Sequence, residues 1–183
     1  MDRDVFVGRG PELADLERRL AESRTVGGAV VLCEGDPGMG KTALAAELAR
    51  RAHEQGVRVA WGACLEGEGS TAHRPWAQVV SALGRAVSDL ITSEASDNAS
   101  RFRLFADGAE LLRGASAERG LLVVLDDLYW ADVESLRLLQ FVASEAASCR
   151  LLRSACTAAQ TYTRVRRSRR CCRRSCGNGP RAR

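Results

Sequence analysis

The spacing of apolar residues changes several times along the chain, and each change marks an element. In residues 11–22, "PELADLERRLAE", Leu13, Leu16 and Leu20 recur at helical intervals, and Pro11 suits the first turn of a helix. "AVVLCEG" from Ala29 is instead a continuous apolar run closed by glycine, the signature of a strand covered on both faces. Helical spacing returns in "KTALAAELARRAHEQG", with Gly56 as its stop, and "VRVAWGAC" at 57–64 predicts a second strand. A loop, "LEGEGSTAHRP", leads to a predicted helix over 76–90; a polar linker, "TSEASDNAS", leads to another over 102–115. "LLVVLDD" at 121–127 is the clearest buried strand. The helix after it starts from Asp132 as N-cap and turns Leu136, Leu139 and Val142 inward. Strands alternating with helices predict an α/β fold on a parallel sheet.

After Leu152 this order ends. "RSACTAAQTYTRVRRSRRCCRRSCGNGPRAR" shows neither period 2 nor period 3.6, so 183 residues divide into one domain over 1–152 and a tail over 153–183 expected to lack regular structure. Charge divides at nearly the same place. From Arg150 onward there are 11 arginines and no acid, whereas residues 1–149 carry 16 basic against 23 acidic groups. An arginine tail on an acidic body can attract DNA or RNA non-specifically through phosphate neutralisation, although no aromatic is interleaved with the arginines to stack bases. Cys171, Cys172 and Cys176 lack the paired spacing and nearby histidine of a zinc site.

No signal-like segment opens the chain, and no apolar run approaches the roughly 18 residues a membrane helix needs, so a cytoplasmic protein without a membrane partner is expected. Cys33, Cys64 and Cys149 then read as structural thiols.

Lys41 is the only lysine in the chain, and it lies in the most informative stretch. Residues Gly35, Asp36, Pro37, Gly38, Met39, Gly40, Lys41 and Thr42 satisfy G-x-x-x-x-G-K-[ST] between a predicted strand and a predicted helix. The glycines let backbone N–H groups close around phosphates at a helix N-terminus. Lys41 would reach the β- and γ-phosphates of a nucleotide such as ATP, and the Thr42 hydroxyl would ligate Mg²⁺. A second carboxylate element is needed at the end of a neighbouring strand. Asp126 would hold the Mg²⁺ through water, and Asp127 would orient or deprotonate an attacking water.

Together, "VFVGRGPELADLERRL", "GDPGMGKTALAAELA", "HRPW" and "LLVVLDDLYWAD" resemble the AAA-type ATPase domain near the N-terminus of large LuxR-family, MalT-like transcriptional regulators. The resemblance covers residues 4 to about 152. It implies a three-layer αβα P-loop NTPase fold, ATP and Mg²⁺ as cofactors, and Val7, Gly8 and Arg9 at the adenine edge. DNA contact would come through an output domain that these residues do not contain, and self-association is left open. Tyr129 stands where the family usually has histidine. The family also continues after the last helix into a strand ending in a pattern like "GTYR", whose arginine senses the γ-phosphate. Here "ASCRLL" begins that strand and the pattern breaks off, so the fold is expected to be incomplete and hydrolysis weak or absent. Written as GC-rich codons and read two bases later, the tail as far as Arg173 permits "LGMYRGADVHAGSPLAAVLP". That reading supplies the missing pattern, so the tail is expected to be an out-of-frame extension. A product without independent function is the remaining alternative.

Overall fold

The computed structural model describes residues 8–25, 27–66, 72–86 and 98–145, together with the backbone of 151–157. Its elements in chain order are α1 (Gly10–Ser23), β1 (Ala29–Glu34), α2 (Lys41–Glu54), β2 (Arg58–Ala63), α3 (Arg74–Ala82), α4 (Asn98–Ser116), β3 (Leu121–Asp126), a 3₁₀ turn (Leu128–Trp130), α5 (Val133–Ser144) and β4 (Leu151–Thr157). The four strands form one parallel sheet in the order β1-β4-β3-β2.

Every residue of β3 is buried, and its side chains alternate between two helical layers. Leu122 and Val124 join Leu13, Leu16, Leu20, Leu44 and Leu48 beneath α1 and α2. On the other face Leu121, Val123 and Leu125 join Trp76, Val79, Leu112 and Leu138 from α3, α4 and α5. Each large side chain withdrawn from water here contributes on the order of 1.5–3 kcal/mol. The sheet between two helical layers is the αβα architecture predicted from the sequence.

Four local differences from the sequence reading have physical causes. The helix predicted over 76–90 is α3, which ends at Ala82; Gly84 takes a left-handed φ of 74°, and Arg85 N–H returns to the Val80 carbonyl. Residues 87–90 lie outside the described set. The helix expected from 102 begins earlier, at Asn98, inside the stretch read as polar linker. In α5 the buried stripe runs Ser135, Leu138, Leu139 and Val142, with Leu136 only half-buried against the core. Finally, the sheet continues past Leu152. β4 pairs with β1 from Leu152 to Thr157 and with β3 from Leu151 to Ala155. Pairing on both sides needs only backbone N–H and C=O groups, so it can proceed without an apolar pattern in "RSACT".

Candidate functional site

The C-terminal ends of β1 and β3 lie on either side of β4, and there the chain places its two most chemically suggestive segments. Binding sites on open parallel sheets characteristically form at this edge. Beyond β1, residues 35–40 turn into α2, whose first residue is Lys41. Gly38 and Gly40 have φ of 79° and 73°, in the left-handed region where a side chain is strained. No atom lies within 4 Å of the Cβ that either would carry, so the space above the loop is open to a ligand. Asp36, Pro37, Gly38, Met39 and Gly40 are all exposed.

Lys41 bends back over this loop, its Nζ donating to the carbonyls of Gly35 at 2.9 Å and Asp36 at 3.0 Å. The ammonium is thus held above the turn that the α2 N-terminus faces. A phosphate there would meet the charge together with the helix's unpaired N–H groups.

Asp126 closes β3 and is buried at 5% exposure. Its Oδ1 accepts from Thr42 Oγ1 at 3.3 Å and from Asp127 N–H at 3.0 Å. Burial pushes its pKa above the ordinary carboxylate value and the neighbouring Asp127 adds to this, while the Thr42 and Asp127 hydrogen bonds and the charge of Lys41 oppose the shift. A buried carboxylate with few compensating partners gains from a cation. Thr42 Oγ1 and Asp126 Oδ1 are both hard oxygens, close enough to serve one ion, and that donor set fits Mg²⁺ better than a soft metal. No group of three or more His, Cys, Asp or Glu that could hold a metal ion lies among the described residues.

Asp127 is exposed, and its backbone is left-handed at φ 52° and ψ 41°. That conformation turns the chain sharply out of β3 into the 3₁₀ turn, leaving the two consecutive carboxylates in unlike surroundings. Asp126 is buried against Thr42, whereas Asp127 is open to solvent.

The structure therefore brings together Gly35, Asp36, Lys41, Thr42, Asp126 and Asp127. Gly8 and Arg9 lead into α1, where Arg9 occupies the N-cap position and its carbonyl accepts from Leu13 N–H, rather than joining the phosphate loop. Val7 and Cys149 lie outside the described residues, as does the tail beyond Thr157. Cys64 is buried, with its thiol pushed up to about 12 by burial and by the nearby acids, and Cys33 is half-buried in β1. Sequence reading missed Gln78, Trp76 and His73 of the α3 segment, which brace the acid-bearing turn. The "HRPW" opening of that helix was the only signal for His73 and Trp76, and Gln78 had none.

A glycine-rich loop between a strand and a helix, a lysine over it, and a hydroxyl bonded to a carboxylate of a neighbouring parallel strand define the P-loop class of nucleoside-triphosphate-binding αβα domains. The family model of the AAA ATPase domain matches residues 5–154, and the chain belongs to that family. No curated protein matches it in sequence. No described helix is long and apolar enough to cross a membrane.

Proposed function

We propose that this chain binds ATP with Mg²⁺ at the C-terminal sheet edge and serves as the nucleotide module of a LuxR-family, MalT-like regulator. The observation that carries the reading is the joint placement of Lys41 over the loop and of Thr42 against Asp126. The loop N–H groups of residues 35–42 and Lys41 would hold the phosphates, Thr42 and water bound by Asp126 would hold the metal, and Asp127 would orient water at the terminal phosphate. Bound Mg²⁺ would supply charge neutralisation for the phosphates. Nucleotide entry requires Lys41 to exchange its two carbonyl partners for phosphate oxygens, and the cation must displace the direct Thr42–Asp126 bond.

Turnover in this chain is weak. The segment "RSACT", which forms the end of β4, does not end in the "GTYR"-like pattern whose arginine the resemblance implies. The regulator assignment is supported by "VFVGRGPELADLERRL" and "LLVVLDDLYWAD". DNA contact would reside in another part of such a regulator, and the residues from 153 are read as an out-of-frame extension. Nucleotide sequence across codons 145–183 checks this last point, since a frame that does not reopen after a single-base correction contradicts it.

The decisive experiment is calorimetric titration of ATP into the chain and into Lys41→Ala. Loss of the single lysine should weaken binding on the order of 100-fold, the scale of a charge-assisted contact to phosphate. Unchanged affinity in the variant overturns the assignment.

A further inference from the structure

The turn that carries Asp126 and Asp127 is enclosed by a ring of hydrogen bonds, most of them from residues distant in sequence. At its start, Cys64 N–H donates to the Asp126 carbonyl at 3.1 Å, tying the end of β2 to the end of β3. One residue earlier, Ala63 N–H donates to Gln78 Oε1 at 2.7 Å, tying β2 to α3. Gly62 lets this helix sit directly on the strand, since a Cβ there would fall 2.1 Å from the Pro75 carbonyl oxygen.

The other side of the ring closes at Asp132. From Asp127 the chain makes its 3₁₀ turn, with Trp130 N–H bonded to the Asp127 carbonyl at 2.9 Å, and reaches Asp132 five residues later. One carboxylate oxygen of Asp132 accepts from Ser135 N–H at 2.8 Å and so caps α5. The other accepts the Ser135 hydroxyl at 2.5 Å and also the backbone N–H of His73 at 3.3 Å, across 59 residues of sequence. Trp76 repeats that link, its indole N–H donating to the Ser135 carbonyl at 3.0 Å while its ring is buried at 2% exposure. His73 is itself buried, in a left-handed backbone at φ 63°, packed edge-on against Phe105.

Capping α5 accounts for the two bonds to Ser135, so the bond to His73 has to be explained. We infer that Asp132 is a positioning residue: its bond to His73 pins the far end of the acid-bearing turn to α3, and thereby fixes Asp126 and Asp127 relative to the phosphate loop. This inference rests on the proposed Mg²⁺-dependent nucleotide site. With the clamp intact, Asp127 holds its strained backbone and Asp126 faces Thr42; with the clamp cut, the far end of the turn is held to α3 only through the Trp76–Ser135 bond. Phosphate contacts at residues 35–42 lie on the other side of β4 and do not depend on the clamp.

The test separates capping from clamping in the full chain. Asp132→Ala removes both, whereas Asp132→Ser keeps a good N-cap but is too short to reach His73 as well. ATP affinity is measured in excess Mg²⁺ and in EDTA, beside the melting temperature. Misplacement of a coordinating group by about 1 Å is worth up to about 100-fold, so both variants should lose roughly tenfold of the Mg²⁺-dependent gain in affinity. Affinity in EDTA should stay within about twofold of the parent chain. Asp132→Ser should recover the melting temperature without recovering the Mg²⁺ gain. Recovery of both by serine would reduce Asp132 to an ordinary cap and overturn the inference. A parent chain that binds ATP with no Mg²⁺ gain would instead overturn the metal-site reading on which the inference rests.

Discussion

The phosphate loop and the acid-bearing turn face each other across β4, yet they are built in opposite ways. The loop is eight contiguous residues, and its internal bonds, from Lys41 to the Gly35 and Asp36 carbonyls, span five or six positions. The acid turn takes its shape from long-range contacts: Cys64 to Asp126, Gln78 to Ala63, His73 to Asp132 and Trp76 to Ser135. A locally encoded element can lose its ligand without disturbing the core, whereas an element held by distant partners ties its chemistry to the stability of the domain.

Two alanine substitutions at glycine sharpen that contrast. Gly62→Ala drives a Cβ into the backbone of Pro75, with the carbonyl oxygen at 2.1 Å and the carbonyl carbon at 2.8 Å. Backbone cannot move aside as a flexible side chain would, so α3 must lift off β2. The expected cost is about 3 kcal/mol or more, measured by denaturant unfolding. Gly38→Ala meets open space and has only its φ of 79° to strain, so its stability cost is about 1 kcal/mol while ATP binding is lost. A Gly62→Ala protein as stable as the parent would break the comparison.

Smaller effects come from the left-handed backbone at Asp127. Asparagine and aspartate tolerate this region better than alanine. Asp127→Asn should therefore leave stability nearly unchanged, and Asp127→Ala should cost about 1 kcal/mol, although both remove the carboxylate. Melting curves of the two variants read the backbone contribution. Residual ATP turnover, lost equally in both, reads the carboxylate. Equal stability of the two would show that φ at this position carries no cost.

The same division explains what was legible in the sequence. Residues 35–42 could be read because motif and geometry coincide locally, and "LLVVLDD" because a strand covered on both faces is apolar throughout. The bracing of the acids was not legible, since nothing at Asp132 beyond its fitness as an N-cap announces a partner 59 positions earlier. Leu138 was overlooked for a simpler reason: Leu136 and Leu138 both lie near the apolar stripe, and only packing against α3 and α4 decides which is buried. The end of β4 eluded the pattern because a central strand can be held by its two backbone ladders while its side chains show no periodicity.

The smallest effect should come from His73, and its sign follows from burial. Burial lowers the pKa of the imidazole below its ordinary value near 6.5, while the carboxylates of Asp132 and Glu134 oppose the shift without cancelling it. As pH falls, the unfolded chain therefore takes up this proton before the folded chain does. The stability that His73 contributes is fully present above the unfolded value and is lost as pH falls from there through the folded value; below both, nothing further is lost. His73→Asn keeps a residue that accepts φ 63° and removes the titration. The melting temperature of the parent chain should thus fall more steeply than that of the variant between about pH 7 and pH 5, and the two slopes should converge above pH 7. A variant with the same slope as the parent would mean that protonation of the buried His73 imidazole carries no folding cost.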